Sequence, residues 1–403
     1  MKAETNVPSP EIESSVQSAA TTSIPESVQK TPRTRPYFTL DAWRGVASLW
    51  VVLFHVTGMI VRRDSGMAAQ ALFKFAQYGS LGVQLFFVIS GYCIVNAACA
   101  SLNRPNGTWK FLTARFRRIY PPFWFASIIA AAMFIGFQYL VSRGLARPNV
   151  FSEQNYLHQP FVYYFSNITL LQIALRQPSL LSVSWTLCYE IAFYLTIGLV
   201  LILFRSRLNA VRLLQALHVI TIVCLLILVC APQWRCYPFD LWPQFGMGIA
   251  VYDILQGLRR RLSTAMIGGV SALTLLLCLK SDMPVGAMNA SAHLTYGICL
   301  GFALLLCLGY RWDGVLSRLL LVRLLAFVGL FSYSLYLVHT LTMRVANQAA
   351  GILHLHNPLL LVASVTAFCL AGSYLFYYYC ERPFTTGKRG QTSERKRGTI
   401  ATP

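Results

Sequence analysis

Acidic residues are scarce in this chain. It has 14 Asp and Glu among 403 residues, against 34 Lys and Arg, and charged residues of both signs make up only 12%. So little charge, with 56% hydrophobic residues and a mean hydropathy of +0.53, excludes an ordinary soluble domain and indicates a polytopic membrane protein. A C-x-x-C pair is also lacking. The eleven cysteines are an odd number. Most of them, such as Cys93, Cys224, Cys278 and Cys369, lie in apolar runs, where cysteine behaves as a small hydrophobe. Neither a disulfide framework nor a zinc site follows. His158, His218, His293, His354 and His356 have no partner at ligand spacing, so no metal site is expected. An internal repeat of the kind found in many transporters is missing as well.

What is present is a series of ten apolar runs, at 42–61, 79–98, 120–141, 186–204, 213–231, 240–255, 265–280, 292–310, 324–343 and 359–380. They predict an all-α membrane protein with about ten transmembrane helices. The net charge of +20 could suggest nucleic acid, but the basic residues are spread over short loops between the runs. With the N-terminus inside, 25 of the 34 Lys and Arg fall on the inner side. No shift of parity separates them better, so both termini are expected in the cytosol and nucleic acid is not a partner. Residues 1–36 are rich in Ser, Thr, Pro, Glu and Gln and read as a disordered cytosolic tail, not a cleavable signal peptide. Residues 37–384 form the membrane domain, and 385–403 a basic cytosolic tail. The stretch 143–185 is too long for a tight loop. Its apolar part, Phe161–Leu175, is about half a membrane thick and suits an interfacial or re-entrant element.

The first run carries two ionisable groups, Arg44 and His55. Eleven residues amount to three helical turns plus roughly 20°, so both lie on one face, about 16 Å apart along the axis. Two readings fit. One is a topological arginine with a histidine satisfied by a neighbouring helix; the other is a site facing a pathway. Ser90-Gly91 sets a small pair in a bulky run, allowing close approach of a helix or a ligand. Arg115 and Arg118 share a helical face in TARFRRIYPPFW, and Pro121-Pro122 suits a helix start, whose free N–H groups favour anions. These residues would make a phosphate-binding corner, or they set topology alone. Glu190 is the clearest acid within any run and must be protonated or paired. Ser332, Tyr333, Ser334, Tyr336 and His339 form a polar stripe suited equally to helix bonding and to ligand contact.

These phrases, in this order, resemble the bacterial acyltransferase family 3 of integral-membrane O-acyltransferases. LDAWRGVASLWVVLFH resembles the opening phrase of that family, with its basic residue, ten spacers and histidine falling on Arg44 and His55. LGVQLFFVISGY resembles the second-helix phrase, with Gln84 where an acid is common. RFRRIYP, WTLCYEIAFYL, FSYSLYLVH and the closing ERPF correspond too. The resemblance covers about residues 38–384. It implies a membrane enzyme of the bacterial inner membrane, moving an acyl group, with acetyl expected, from cytosolic acyl-CoA to a hydroxyl. The acceptor would be sugar-containing, such as a surface polysaccharide. Acyl-CoA is then a co-substrate and no tightly bound cofactor is expected. The chain resembles the stand-alone form, without the esterase-like domain some members carry. His55, Arg44 and Glu190 are the expected catalytic residues, with neutral imidazole as general base. Arg115, Arg118 and Ser90 are expected at the donor. The rival reading is a transporter for a lipid-linked sugar or organic anion, using His55 and Glu190 as an ion relay.

Overall fold

A computed structural model describes residues 37–62, 65–102, 104–145, 158–204, 209–234, 236–257, 261–280, 284–285, 290–352 and 356–385. The expected N-terminal tail, the basic tail beyond 385, and His354 lie outside the described residues. Among the described residues the regular structure is helical apart from a two-residue antiparallel pairing of Pro284–Val285 with Ala290–Ser291. In chain order the helices are α1 (Leu40–Ile60), α2 (Met67–Ala76), α3 (Gly82–Ser101), α4 (Gly107–Ser142) and α5 (Phe161–Thr169). They continue with α6 (Trp185–Leu203), α7 (Ala210–Cys230), α8 (Trp242–Gln256), α9 (Arg261–Lys280) and α10 (Ala292–Gly309). The last three are α11 (Leu320–Leu330), α12 (Ser332–Ile352) and α13 (Pro358–Phe376).

All ten apolar runs are helical, yet fewer than ten are whole spans. Among the described residues eight helices are long and apolar enough to cross a membrane, or nine if one sharply bent pair counts as a single span. The run at 240–255 falls short. As α8 it has 15 residues, about 22 Å of rise, and every residue from Trp242 to Asp253 is buried, so it serves as a core helix. Its partner is α3: Gly91 and Gly248 meet where a side chain on either would strike the other helix's backbone.

The run at 324–343 is the bent pair. α11 and α12 meet at 72° beside Phe331. α11 packs against α1 at backbone contact, because a methyl on Gly45 would collide with the Leu325 carbonyl and one on Gly329 with that of Asp41. The entry to α1 is fixed from elsewhere. Asp313 accepts hydrogen bonds from the Phe38 and Thr39 N–H groups at 2.9 and 2.8 Å and from the Thr39 hydroxyl at 2.8 Å. Tyr37 donates to the Leu306 carbonyl at 2.8 Å, and burial, aided by Asp313, pushes its hydroxyl up so that it stays a donor.

The expected helix start at Pro121-Pro122 is overturned. α4 begins at Gly107 and runs through both prolines to Ser142. Each proline lacks the N–H that would bond the carbonyl four residues back, so the freed carbonyls are those of Arg117 and Arg118. Tyr333 of α12 meets the helix at the next carbonyl, donating to Ile119 at 2.8 Å. The N-terminus of α4 therefore does not stand beside Arg118. Of the stretch 143–185, the described residues 158–185 form α5 and a turn that folds back on α4. Tyr120 and Trp124 donate to the Thr169 and Ile168 carbonyls, each at 3.0 Å. Asn167 then clasps the chain ahead of α6, accepting from the Leu180 N–H at 2.7 Å and donating to the Pro178 carbonyl at 3.0 Å. A buried Gln172–Ser184 bond of 2.9 Å completes the clasp and fixes the start of the helix that carries Glu190.

Candidate active site

Side chains from five helices line a cavity of about 60 Å³. α1 contributes Arg44, α3 Ser90, α4 Arg118, α6 Glu190, and α12 Tyr333 and Tyr336. Four of the six residues singled out from the sequence thus line one cavity, although 146 positions separate Arg44 from Glu190. It is narrow, well short of the roughly 300–1,000 Å³ of a pocket that holds a whole small-molecule ligand. Arg115 and His55 do not line it. Arg115 sits one turn before Arg118, over the Phe111 ring, and its Nε is buried without a partner.

The cavity cations are weakly matched by the protein. Arg44 has one contact, 3.5 Å from the exposed carboxylate of Asp41, which is a weak surface pair. Among the described residues Arg118 makes no hydrogen bond and no ion pair. It feels the carboxylates of Glu381 and Glu190 only through space. Each carboxylate has donors of its own. The Tyr194 hydroxyl donates to Glu190 at 2.5 Å, one turn along α6. Glu381 accepts from the Ser334 hydroxyl at 2.5 Å and from its N–H at 3.2 Å. That N–H is one of the unpaired groups at the start of α12, exposed by the break at Phe331, so Glu381 caps the helix with charge of the favourable sign. A widened π-type turn over Tyr377–Glu381 carries the carboxylate there.

The polar stripe of α12 bonds neighbouring helices and also borders the cavity. Tyr333 and Tyr336 line the cavity while bonding neighbouring helices. Tyr336 accepts from the Thr186 hydroxyl at 2.9 Å and donates to the Val183 carbonyl at 3.1 Å. One turn beyond it, His339 meets His55. The rings lie 4.9 Å apart edge to face, with His55 Nδ1 3.4 Å from His339 Nε2. It is His339, not Glu190, that stands beside His55, and no hydrogen bond or ion pair joins Glu190 to that ring. The remaining buried histidine with a charged neighbour, His218, pairs with Asp253 at 3.0 Å between α7 and α8. Among the described residues no group of three or more His, Cys, Asp or Glu could hold a metal.

Three residues of this arrangement were not singled out as site residues from the sequence. Glu381 looked like an acid at a span end, and only the π-type turn brings it inward. Tyr194 lies four residues after Glu190, a spacing that signals the bond. His339 was visible as part of the stripe, but its partner is 284 residues away.

The bundle thus carries a cavity with arginines on two of its five walls and, one turn beyond Tyr336, the contact between His55 and His339. Residues 37–378 match the acyltransferase domain family, and the chain belongs to that family. The curated relatives are more distant. The chain is 22% identical over 330 residues to the O-acetyltransferase OatA of Staphylococcus aureus strain NCTC 8325 / PS 47, and equally to that of strain COL. Each match covers 74% of this chain and 49% of the relative, so the chain spans about half the length of the curated relatives it matches. No solved structure matches. The chain is a multi-pass membrane member of the acyltransferase domain family.

Proposed function

We propose that this enzyme moves an acyl group, acetyl in keeping with the O-acetyltransferases it resembles, from cytosolic acyl-CoA to a hydroxyl of a sugar-containing acceptor such as a surface polysaccharide. It would act in the bacterial inner membrane with both termini in the cytosol, the orientation the basic loops favour. One observation carries the donor assignment. Arg44 and Arg118, from different helices, line one cavity and together receive a single 3.5 Å contact from the protein. Guanidinium groups left unmatched in this way suit phosphate oxygens, for which arginine offers forked, charge-assisted bonds. Arg115, with its unpartnered Nε, stands one turn away as a third cation. Arg44 and His55 are about 16 Å apart along α1, a length over which a flexible pantetheine arm carries the thioester from its phosphates to the histidine. Ser90 gives that arm room at the cavity wall, and Glu190 accepts from substrate hydroxyl or amide groups.

Chemically, His55 takes the proton of the acceptor hydroxyl as its oxygen attacks the thioester carbonyl carbon. The new C–O bond forms, the C–S bond breaks, and the leaving thiolate receives the proton back from the imidazolium. The products are an ester and CoA thiol. Purified protein given acyl-CoA and a hydroxyl acceptor should therefore release free CoA thiol at a rate that depends on both. Intact thioester, together with movement of a lipid-linked sugar or organic anion across sealed vesicles, would instead establish the transporter reading.

A further inference from the structure

The hydrogen bonds around the histidine pair fix where each proton sits. A carbonyl oxygen only accepts, so a ring nitrogen facing one must carry hydrogen. His339 Nδ1 lies 2.8 Å from the Tyr336 carbonyl and 3.0 Å from that of Leu335, so it is N–H and donates to both. In the neutral ring Nε2 is then a bare lone pair, directed at His55 Nδ1, 3.4 Å away. His55 Nδ1 lies 2.9 Å from the Val51 carbonyl and is likewise N–H. Its proton is shared between Val51 and His339, a three-centre bond. What remains on His55 is Nε2, a lone pair that makes no hydrogen bond among the described residues. His55 as a residue is only partly buried.

His339 itself is fully buried. The Cys369 thiol and the Thr342 hydroxyl both bond its carbonyl, at 3.7 and 3.1 Å, which holds its backbone in place. No charged group has a hydrogen bond or ion pair with either ring. The pair is a neutral acceptor behind a base whose free nitrogen is left open.

We propose that His339 is a positioning residue for acyl transfer. Its Nε2 accepts the Nδ1–H of His55, fixing the tautomer and ring orientation that present His55 Nε2 to the acceptor hydroxyl. When that hydroxyl gives its proton to His55 Nε2, both ring nitrogens of His55 carry hydrogen, and the Nδ1–H bond to His339 strengthens because its donor is now charged. This is the part a third group plays behind a catalytic histidine, here filled by a second neutral imidazole instead of a carboxylate. The inference rests on the reading of His55 as the base.

The test compares His339→Phe, His339→Gln, His55→Gln and the double variant His55→Gln/His339→Phe in the full-length protein. It reads kcat, the KM for acyl-CoA, and thermal stability. His339→Phe should lower kcat about 10- to 100-fold, with the donor KM within about twofold of the parent. His339→Gln should recover most of that loss, since its side-chain carbonyl also accepts from Nδ1–H. In the His55→Gln background, His339→Phe should cost less than about twofold, because the two residues act as one unit. Parental kcat in His339→Phe, or an equal loss in the His55→Gln background, overturns the inference while leaving the base intact. A fall in kcat matched by lost thermal stability, without rescue by glutamine, also overturns it, in favour of a packing role. Parental activity in His55→Gln would remove the base reading itself.

Discussion

His55→Ala is expected to lower acyl transfer by about a thousandfold or more while leaving membrane insertion and acyl-CoA binding largely intact. Acid–base catalysis by a positioned side chain contributes roughly 10²–10⁴-fold, and a thousandfold loss corresponds to about 4 kcal/mol of transition-state stabilisation. The separation of effects follows from position. His55 lies eleven residues from Arg44 and outside the lining of the cavity where Arg44 and Arg118 stand, so its removal leaves the phosphate contacts untouched. Alanine also keeps α1 helical and leaves the Gly45–Leu325 approach unchanged. The measurement is turnover in proteoliposomes beside donor affinity on the same preparation. Near-parental transfer in this variant would sink the assignment of the base.

The second large effect is expected at Arg118. Alanine there should weaken acyl-CoA binding by at least about tenfold and make the remaining affinity less sensitive to salt. Lysine should restore part of the loss, because a point charge satisfies a phosphate less well than a planar fork. Arg118 should exceed Arg115 in this respect, since Arg118 lines the cavity whereas Arg115 approaches it from the turn before. Removing Arg118 also leaves Glu190 and Glu381 without their common cation, but each keeps a hydroxyl donor, from Tyr194 and Ser334. Folded protein is therefore expected. Titration with CoA at two salt concentrations decides the matter. Unchanged affinity in both Arg115→Ala and Arg118→Ala would return these arginines to a purely topological role.

Much of the fold was legible because hydrophobic runs in a membrane protein are long and unmistakable. Every run became helix, and the shared face of Arg44 and the cavity that holds Ser90, Arg118 and Glu190 lie within the phrases that marked the family. What the sequence concealed has physical causes. α4 runs on through Pro121-Pro122, which sequence marks as a helix start, and is met there by a tyrosine from α12, more than two hundred residues away, on the Ile119 carbonyl. The run at 324–343 breaks at Phe331, where no proline or charge announces it; Gly329 holds α11 against α1 while Glu381 caps the new helix start. α8 has the composition of a span but not the length, and its burial on all sides shows only in three dimensions. Glu190 and His55, both expected in the catalytic group, bond different partners, Tyr194 and His339. Periodicity tells which residues share a helix face and is silent about which helix that face meets.

The most direct measurement is equilibrium binding of a non-hydrolysable acyl-CoA thioether to the parent protein, His55→Ala and Arg118→Gln. A cavity that holds the donor by its arginines, with the base standing apart, predicts equal affinity for the first two and at least about tenfold weaker binding for the third. Binding that is absent from the parent, or that is the same in all three proteins, would contradict it.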